Sequence, residues 1–134
     1  MKKVFVSICI ASTVLAMFSC RSVEKAIPLS SINGEWNIIE VNGSKVTPGE
    51  SRNLPFITFD TATGRLSGNS GCNRMMGSFD VNAKPGSIDF KGIAGTKMMC
   101  PDMTTERNVL GALAQVKGYK KAGKDKMYLC NDSN

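Results

Sequence analysis

Short apolar runs, broken every few residues by glycine, asparagine, aspartate or proline, dominate this chain from Ile32 onward. Runs of this kind are typical of β-strands, because the residues that break them favour turns. Residues 36–41 form one such run, and Asn42-Gly43 directly after it is a strong signal for a β-hairpin. The pattern predicts a mainly β fold, and a length of 134 residues fits a single domain.

Seven or eight short strands are predicted in total. They cover residues 36–41, 56–59, 65–68, 77–81, 87–90, 97–99, 119–122 and 126–130. One segment between the sixth and seventh strands has a helical period instead, with one apolar face made of Val109, Leu110, Leu113 and Val116. Asp102 or Thr104 is expected to cap this helix, and Gly118 to end it. This order predicts a small antiparallel sheet or barrel that curls around its own core and is plugged by a single helix.

The first 20 residues predict export. Lys2 and Lys3 precede an apolar run, residues 4–18, which has about the length of a signal-peptide core and is too short to span a bilayer comfortably. Residues 17–20, Met-Phe-Ser-Cys, resemble a relaxed lipobox, whose cysteine is acylated. We therefore expect a lipoprotein signal peptide over residues 1–19, a lipid on Cys20 and a tether over residues 20–31. Ordinary secretion and an uncleaved anchor are the alternatives.

The absence of histidine excludes several catalytic classes. Ser-His-Asp and Cys-His nucleophile systems, HExxH zinc proteases and His-ligated metal sites all need that side chain. The net charge of +6 falls to +4 when Lys2 and Lys3 are removed with the signal peptide. Five lysines cluster near the C-terminus: Lys117, Lys120, Lys121, Lys124 and Lys126. We interpret them as a solvated hairpin that resists edge pairing, rather than as a surface for nucleic acid or anionic lipid headgroups.

Four strings of the chain, with Glu106 after them, fall in a familiar order. They are Asn33-Gly34-Glu35-Trp36, Ser67-Gly68-Asn69-Ser70-Gly71-Cys72-Asn73-Arg74, Gly77-Ser78-Phe79 and Ile93-Ala94-Gly95-Thr96-Lys97-Met98-Met99-Cys100-Pro101. In this order they resemble the META domain family, which includes the HslJ-like heat-shock lipoproteins, over residues 32–130. The resemblance implies a lipocalin-like barrel or curled sheet with a packed helix, in an exported and often lipid-anchored protein without established catalysis.

The resemblance also implies roles for residues in these motifs. Cys72 and Cys100 lie in two of the motifs, so we expect a disulfide between them, while Cys130 stays a thiol or pairs with another chain. Six further motif residues are expected to be structural: Gly68, Gly71, Asn73, Arg74, Thr96 and Pro101. The two glycines would permit a bend or a positive φ, and the Asn73 side chain would bond local backbone. Arg74 either pairs with Glu106 or is solvated.

The C-terminus departs from the family pattern. Family members continue past the strand at residues 127–129 into a turn and one more strand, whereas this sequence stops at Asn134. The resemblance therefore predicts that the sheet lacks its last strand, and that residues 131–134 form a tail. Strands next to the missing one would expose unpaired backbone groups. Either this copy is truncated, or other residues or another chain complete the edge.

Other chemistry is less favoured by the residues. The cysteines lack the Cys-x-x-Cys spacing of redox enzymes, and the methionines around Cys100, which suit Cu(I), also fill small cores. The glycine-rich residues 68–74 are not followed by the Gly-Lys-Ser/Thr of a phosphate-binding loop. We expect no catalytic residue, no metal and no cofactor.

The favoured function is that of a non-catalytic lipoprotein of the cell envelope with a stress-related or protein-interaction role. Arg21 after the acylated cysteine favours the outer membrane, facing the periplasm. The expected partners are the membrane, through the lipid on Cys20, and an envelope protein, with no nucleic acid. A barrel that binds a small ligand or hydrophobic cargo is the second hypothesis, and a thiol-redox or soft-metal-binding protein is the third. A ligand-sized apolar cavity would favour the second over the first.

Overall fold

The computed structural model describes residues 2–6, 26–48 and 53–131. Cys20 and most of the predicted signal peptide lie outside these residues. The strands are β1 (Lys3–Val6), β2 (Gly34–Val41), β3 (Ser44–Lys45), β4 (Phe56–Asp60), β5 (Arg65–Asn69), β6 (Arg74–Phe79), β7 (Phe90–Gly95), β8 (Gly118–Lys121) and β9 (Lys126–Cys130). The helix α1 (Thr104–Leu113) lies between β7 and β8, and a 3-10 turn, Leu29–Ile32, precedes β2.

Eight of these strands form one path in the order β7-β6-β5-β4-β2-β1-β9-β8, and β3 pairs with the end of β2. The pairings are antiparallel except at β1, which is parallel to both of its neighbours. A single bridge between Ser87 and Gly118 links the two ends of the path. The sheet is a curled, open half-barrel, which confirms the predicted mainly β class with one helix.

The core lies between the sheet and α1. Alternate residues of the strands point into it, so that Trp36 and Ile38 of β2 and Phe59 of β4 are at most 1% exposed. Val109 and Leu113 from the predicted apolar face of the helix are buried against the same cluster. The Trp36 indole N–H donates to the Ile32 carbonyl at 2.7 Å, which satisfies the polar atom of this buried ring.

The hairpin predicted at Asn42-Gly43 is present between β2 and β3. Asn42 has a φ of 49° and Gly43 a φ of 79°, the two positive values that a tight hairpin turn requires. The helix, in contrast, is shorter than predicted. It ends at Leu113 rather than at Gly118, because Lys117 already donates its N–H to Cys130 of β9 and Gly118 begins β8.

Two predicted strands are displaced or missing. Residues 97–99 form no strand, because the backbone of Met98 bonds to the Asn73 side chain and not to a neighbouring strand, and Met99 is 91% exposed. The strand predicted over residues 87–90 begins only at Phe90, and Ser87 makes the isolated bridge to Gly118. Short apolar runs do not by themselves specify which segment finds a partner.

A strand also forms where the sequence predicted only a signal peptide. Lys3–Val6 lies between β2 and β9, and the Val4 side chain is completely buried in the core. Backbone bonds fix its start, since Asn37 N–H donates to the Lys2 carbonyl at 2.9 Å and Lys3 N–H to the Asp125 carbonyl at 2.7 Å. The edge of β9 that was predicted to lack a strand is therefore covered by residues of this chain.

The start of the packed domain lies within the predicted tether. Ile27 and Leu29 are partly buried against the core. The Tyr119 hydroxyl donates to the Ile27 carbonyl at 3.0 Å, which fastens this segment to β8.

Candidate functional site: a buried carboxylate beside the disulfide

The loop between β5 and β6 carries most of the motif residues and packs on the first turn of α1. Gly71 in this loop has a φ of 135°, and a Cβ there would lie 3.1 Å from the backbone nitrogen of Glu106. The loop therefore needs glycine at this position both for its backbone conformation and for its close approach to the helix.

Glu106 receives the donors that this loop presents. Its Oε2 accepts hydrogen bonds from the backbone N–H groups of Asn73 at 2.7 Å and Cys72 at 3.3 Å, and from the Ser70 hydroxyl at 3.1 Å. Its Oε1 accepts from the Asn73 side-chain amide at 2.9 Å. Glu106 is only 8% exposed, yet its charge is hydrogen-bonded on both oxygens, which is the condition under which a carboxylate is tolerated inside a protein.

The titration of Glu106 reflects this balance. Burial by itself raises the pKa of the carboxyl, but the hydrogen bonds from the Asn73 side chain and backbone, the Ser70 hydroxyl and the Cys72 backbone together outweigh it. The pKa of Glu106 is therefore below its ordinary value of 4.5, so the group is a carboxylate at neutral pH. A depressed pKa suits a structural anion and not a general acid.

Asn73 connects the same loop to the segment before the helix. Its side-chain oxygen accepts from Met98 N–H at 2.7 Å and from the Thr96 hydroxyl at 2.9 Å, while its amide donates to the Met98 carbonyl at 3.1 Å. Thr96 in turn accepts from Arg74 N–H at 3.1 Å. The expectation that the Asn73 side chain bonds local backbone is wrong, because the partners of its amide group lie 23 to 33 positions away in the chain.

A disulfide closes the site. Cys72 and Cys100 are joined, with their Cα atoms 6.1 Å apart, as the family resemblance implied. The bond links the β5–β6 loop to Cys100, and Pro101 directly after it is exposed. Loop, helix and residues 96–100 are thus held by one covalent bond and one buried hydrogen-bond network.

The remaining motif residues have clear positions. A Cβ at Gly68 would collide with the carbonyl of Phe56 on β4, so this glycine permits close strand approach and does not adopt a positive φ. Arg74 is exposed and, within the described residues, forms no salt bridge with Glu106, which favours the solvated alternative. Cys130 is buried at the end of β9.

The groups that bond the Glu106 carboxylate are all donors of the protein itself, three on Oε2 and one on Oε1. Among residues 2–6, 26–48 and 53–131, no group of three or more Cys, Asp or Glu side chains is placed to hold a metal ion. The hydrogen-bond network joins the β5–β6 loop to the helix and to Met98.

The interior of the half-barrel is occupied by side chains. The largest fully buried ones include Trp36, Tyr119 and Phe59. A groove of about 590 Å³ lies on the surface of β4–β7 and is lined in part by the exposed residues Ser67, Met76 and Ser78. This open groove differs from the enclosed apolar cavity that the cargo-binding hypothesis requires.

Sequence reasoning missed Glu106 and Ser70 as members of the site. Glu106 is the third residue of α1, a position where a glutamate commonly bonds back to the helix cap. A local pattern therefore predicts a capping role and not the bonds to the β5–β6 loop. The signals in the sequence were the position of Glu106 after the Cys-Pro motif, in the order that resembles the family, and its place in the first turn of a helix, and they indicated Arg74 rather than the loop as its partner. Its partners lie 33 to 36 positions earlier in the chain, a distance that no local pattern spans.

Fold and site together define a small, disulfide-bonded half-barrel whose single helix is fastened to a glycine-rich motif loop. The chain belongs to the META domain family, whose model matches residues 28–134. An NMR structure of a protein from Burkholderia xenovorans is 28% identical over 62% of this chain and 61% of that chain, with a TM-score of 0.47. None of the curated proteins compared gives a significant match. No helix within the described residues has the length and apolar character needed to cross a membrane.

Proposed function

We propose that this META-domain chain is an exported, HslJ-like lipoprotein of the cell envelope, with a stress-related or protein-interaction role and no catalytic activity. Cys20 carries the lipid, residues 1–19 are removed as the signal peptide, and the protein is held at the outer membrane facing the periplasm. Its partners are the membrane and a second envelope protein.

The observation that carries this proposal is the Cys72–Cys100 disulfide. Disulfides persist in oxidising compartments and are rare in the reducing cytosol. The bond therefore supports export, in agreement with the basic and apolar composition of residues 1–18. The filled interior supports an interaction role over cargo binding, and the saturated Glu106 carboxylate supports a structural use of the motif loop.

Metabolic labelling with a clickable fatty acid tests the anchor. Wild-type protein is expected to carry the label and to sediment with membranes, whereas Cys20→Ala carries none. Cys9→Ala is the matched control, because it removes a thiol from the same leader without touching the acylation position. A Cys20→Ala chain labelled as strongly as wild type would refute the proposed anchor.

A further inference from the structure

The position between β2 and β9 is filled by a segment that the proposed function removes. Within the part of the chain that the structure describes, Lys3–Val6 fills it, and residues 7–25 separate this strand from the next described part. Strands in a sheet lie about 4.8 Å apart, so loss of β1 would leave β2 and β9 facing each other across a strand-wide slot of roughly 9.6 Å. We call this the β2–β9 slot.

We infer that the β2–β9 slot is a strand-acceptor site that binds an extended segment of a partner protein, one that is apolar in the middle and acidic at one end. Lys3–Val6 is its placeholder before the signal peptide is removed. The inference rests on the proposed function, whose interaction role it makes specific.

The backbone of the slot is suited to a replacement strand. β2 and β9 run in the same direction, since each is parallel to β1. A strand entering the opposite way would be antiparallel to both and would continue the pattern of the rest of the sheet. Antiparallel pairing is slightly more stable per residue than parallel pairing. The parallel placeholder also pairs irregularly, with a register shift on β2 between the partners of Val4 and Phe5.

The side chains define what the slot accepts. Val4 is completely buried, so the partner needs a small apolar residue at this inward position. The neighbouring Phe5 ring lies 5.2 Å from the Tyr128 ring, with the Lys126 ammonium 5.4 Å from its centre. The next position therefore favours an aromatic residue, and the pattern is that of peptides that add a strand to a sheet.

The charges at the start of the slot favour an acidic flank. The Lys2 and Lys121 ammonium groups lie 5.1 and 5.9 Å from the centre of the Trp36 ring, so two like charges lie close to one aromatic side chain. Lys126 is adjacent, opposite Lys3 in the sheet. A carboxylate at the position of Lys2 or Lys3 would replace this repulsion with attraction. Glu40 lies opposite Phe5 and would repel a carboxylate there. The acidic residues of the partner are therefore expected at the Lys2–Lys3 end of the slot.

Peptide binding to the purified full chain tests the inference. Val4→Asp is expected to expel β1, because an aspartate at this position would be buried without a partner. The probe is a labelled peptide with residues 2–7 in reverse order and both lysines replaced by glutamate, so that an antiparallel strand places its acidic C-terminal end where Lys2 and Lys3 lie. We expect it to bind Val4→Asp at least tenfold more tightly than wild type, and more tightly than the same reversed peptide with its lysines retained. Val81→Asp, at an exposed loop position, is expected to bind it no better than wild type.

Hydrogen exchange in the unmodified chain gives a second, independent readout. Asn37 N–H donates to the carbonyl of Lys2, which directly precedes β1, and Ile38 N–H donates to the carbonyl of Pro55 on the other side of β2. We expect Asn37 to exchange faster than Ile38, through local release of β1, and saturating acidic peptide to slow Asn37 alone. If Val4→Asp does not form the Cys72–Cys100 disulfide, and is therefore misfolded, the exchange measurement on the unmodified chain still tests the inference.

Four results would overturn the inference. In the binding experiment, a folded Val4→Asp chain could bind no peptide, could prefer the basic peptide, or could form dimers that exclude the peptide. In the exchange experiment, the Asn37 and Ile38 amides could exchange at equal rates, with no effect of the peptide. Dimers of the variant would show that a second copy fills the slot. None of these results bears on the lipid at Cys20, and loss of the anchor would leave the peptide binding unchanged.

Discussion

Glu106 is the residue on which the connection between helix and motif loop depends. Its carboxylate accepts from three loop donors on one oxygen and from the Asn73 amide on the other. A buried donor that loses its acceptor costs the desolvation energy of that group. The effect of changing one side chain therefore extends to every donor of the loop.

Glu106→Gln is expected to lower the free energy of unfolding by about 2 kcal/mol, because a glutamine must turn its NH₂ toward donors that need an acceptor. Urea denaturation measures the loss. Glu35→Gln removes the same charge at an exposed position of β2 and is expected to change stability by less than about 0.5 kcal/mol. Equal effects of the two substitutions would mean that the network contributes nothing beyond net charge.

The same residue gives the protein a defined acid sensitivity. The pKa of Glu106 is lower in the folded state than its ordinary value of 4.5, so its contribution is present above pH 4.5 and is lost as the pH falls through the folded pKa. Wild type is therefore expected to lose more stability than Glu106→Gln between pH 5 and about pH 3 in denaturation series. Asp60, Asp89 and Asp102 also have lowered pKa values, through hydrogen bonds chiefly from Thr63, Lys117 and Thr104 respectively, but they are common to both proteins. Parallel pH profiles would contradict this role for Glu106.

At the scale of elements, the hairpin and most strands followed from the sequence because their signals are local. Asn42-Gly43 supplies positive φ at two successive positions, and residues 36–39 alternate buried and less buried side chains. The end of α1 did not follow, because the pairing of Lys117 with β9 competes with continuation of the helix. The strand predicted over residues 97–99 does not form for a similar reason, since Met98 N–H donates to the Asn73 side chain instead of to a neighbouring strand.

The helix carries a glycine that its position does not require. Gly111 lies within α1, is exposed, and a Cβ there would meet no atom within 4 Å. Gly111→Ala is expected to raise the free energy of unfolding by about 0.5–1 kcal/mol, because alanine loses less backbone entropy in a helix. Thermal or urea unfolding measures the gain. Gly71→Ala is the contrasting control and is expected to destabilise; a loss of stability in Gly111→Ala would contradict the open environment described for it.

The disulfide connects elements across a separation of 28 residues. The double variant Cys72→Ser/Cys100→Ser is expected to lose about 3 kcal/mol, because an open loop of this length has more conformational freedom in the unfolded chain. Urea unfolding of wild type with and without reductant should reproduce that loss, while reductant should leave the double variant unchanged. A stable reduced wild type would mean that the Glu106 network alone fixes the loop.

At the scale of the whole molecule, the mainly β class and most of the strands could be predicted from the sequence. The pairing of β1 with β2 and β9 could not. Local patterns identify strands, whereas the order of strands depends on which edges meet in three dimensions. Lys3–Val6 shows the limit most clearly, because its basic start and apolar run indicate a signal peptide and the same residues complete the core beside Val41 and Leu129. The chemistry of a leader and that of a buried strand overlap.

Lys3–Val6 is part of the sheet in the full chain and is absent from the proposed mature protein. The conflict between the two is physical, because Val4 cannot fill the core once the chain begins at Cys20. Removal of the signal peptide on export would therefore change the sheet as well as the location of the protein.

The intact mass of the protein extracted from cell membranes tests this central claim most directly. We expect a chain that begins at Cys20, carries acyl groups and has the Cys72–Cys100 disulfide formed. A membrane-derived chain that still contains Lys3–Val6 and bears no lipid would contradict the account, since β1 would then be a permanent strand.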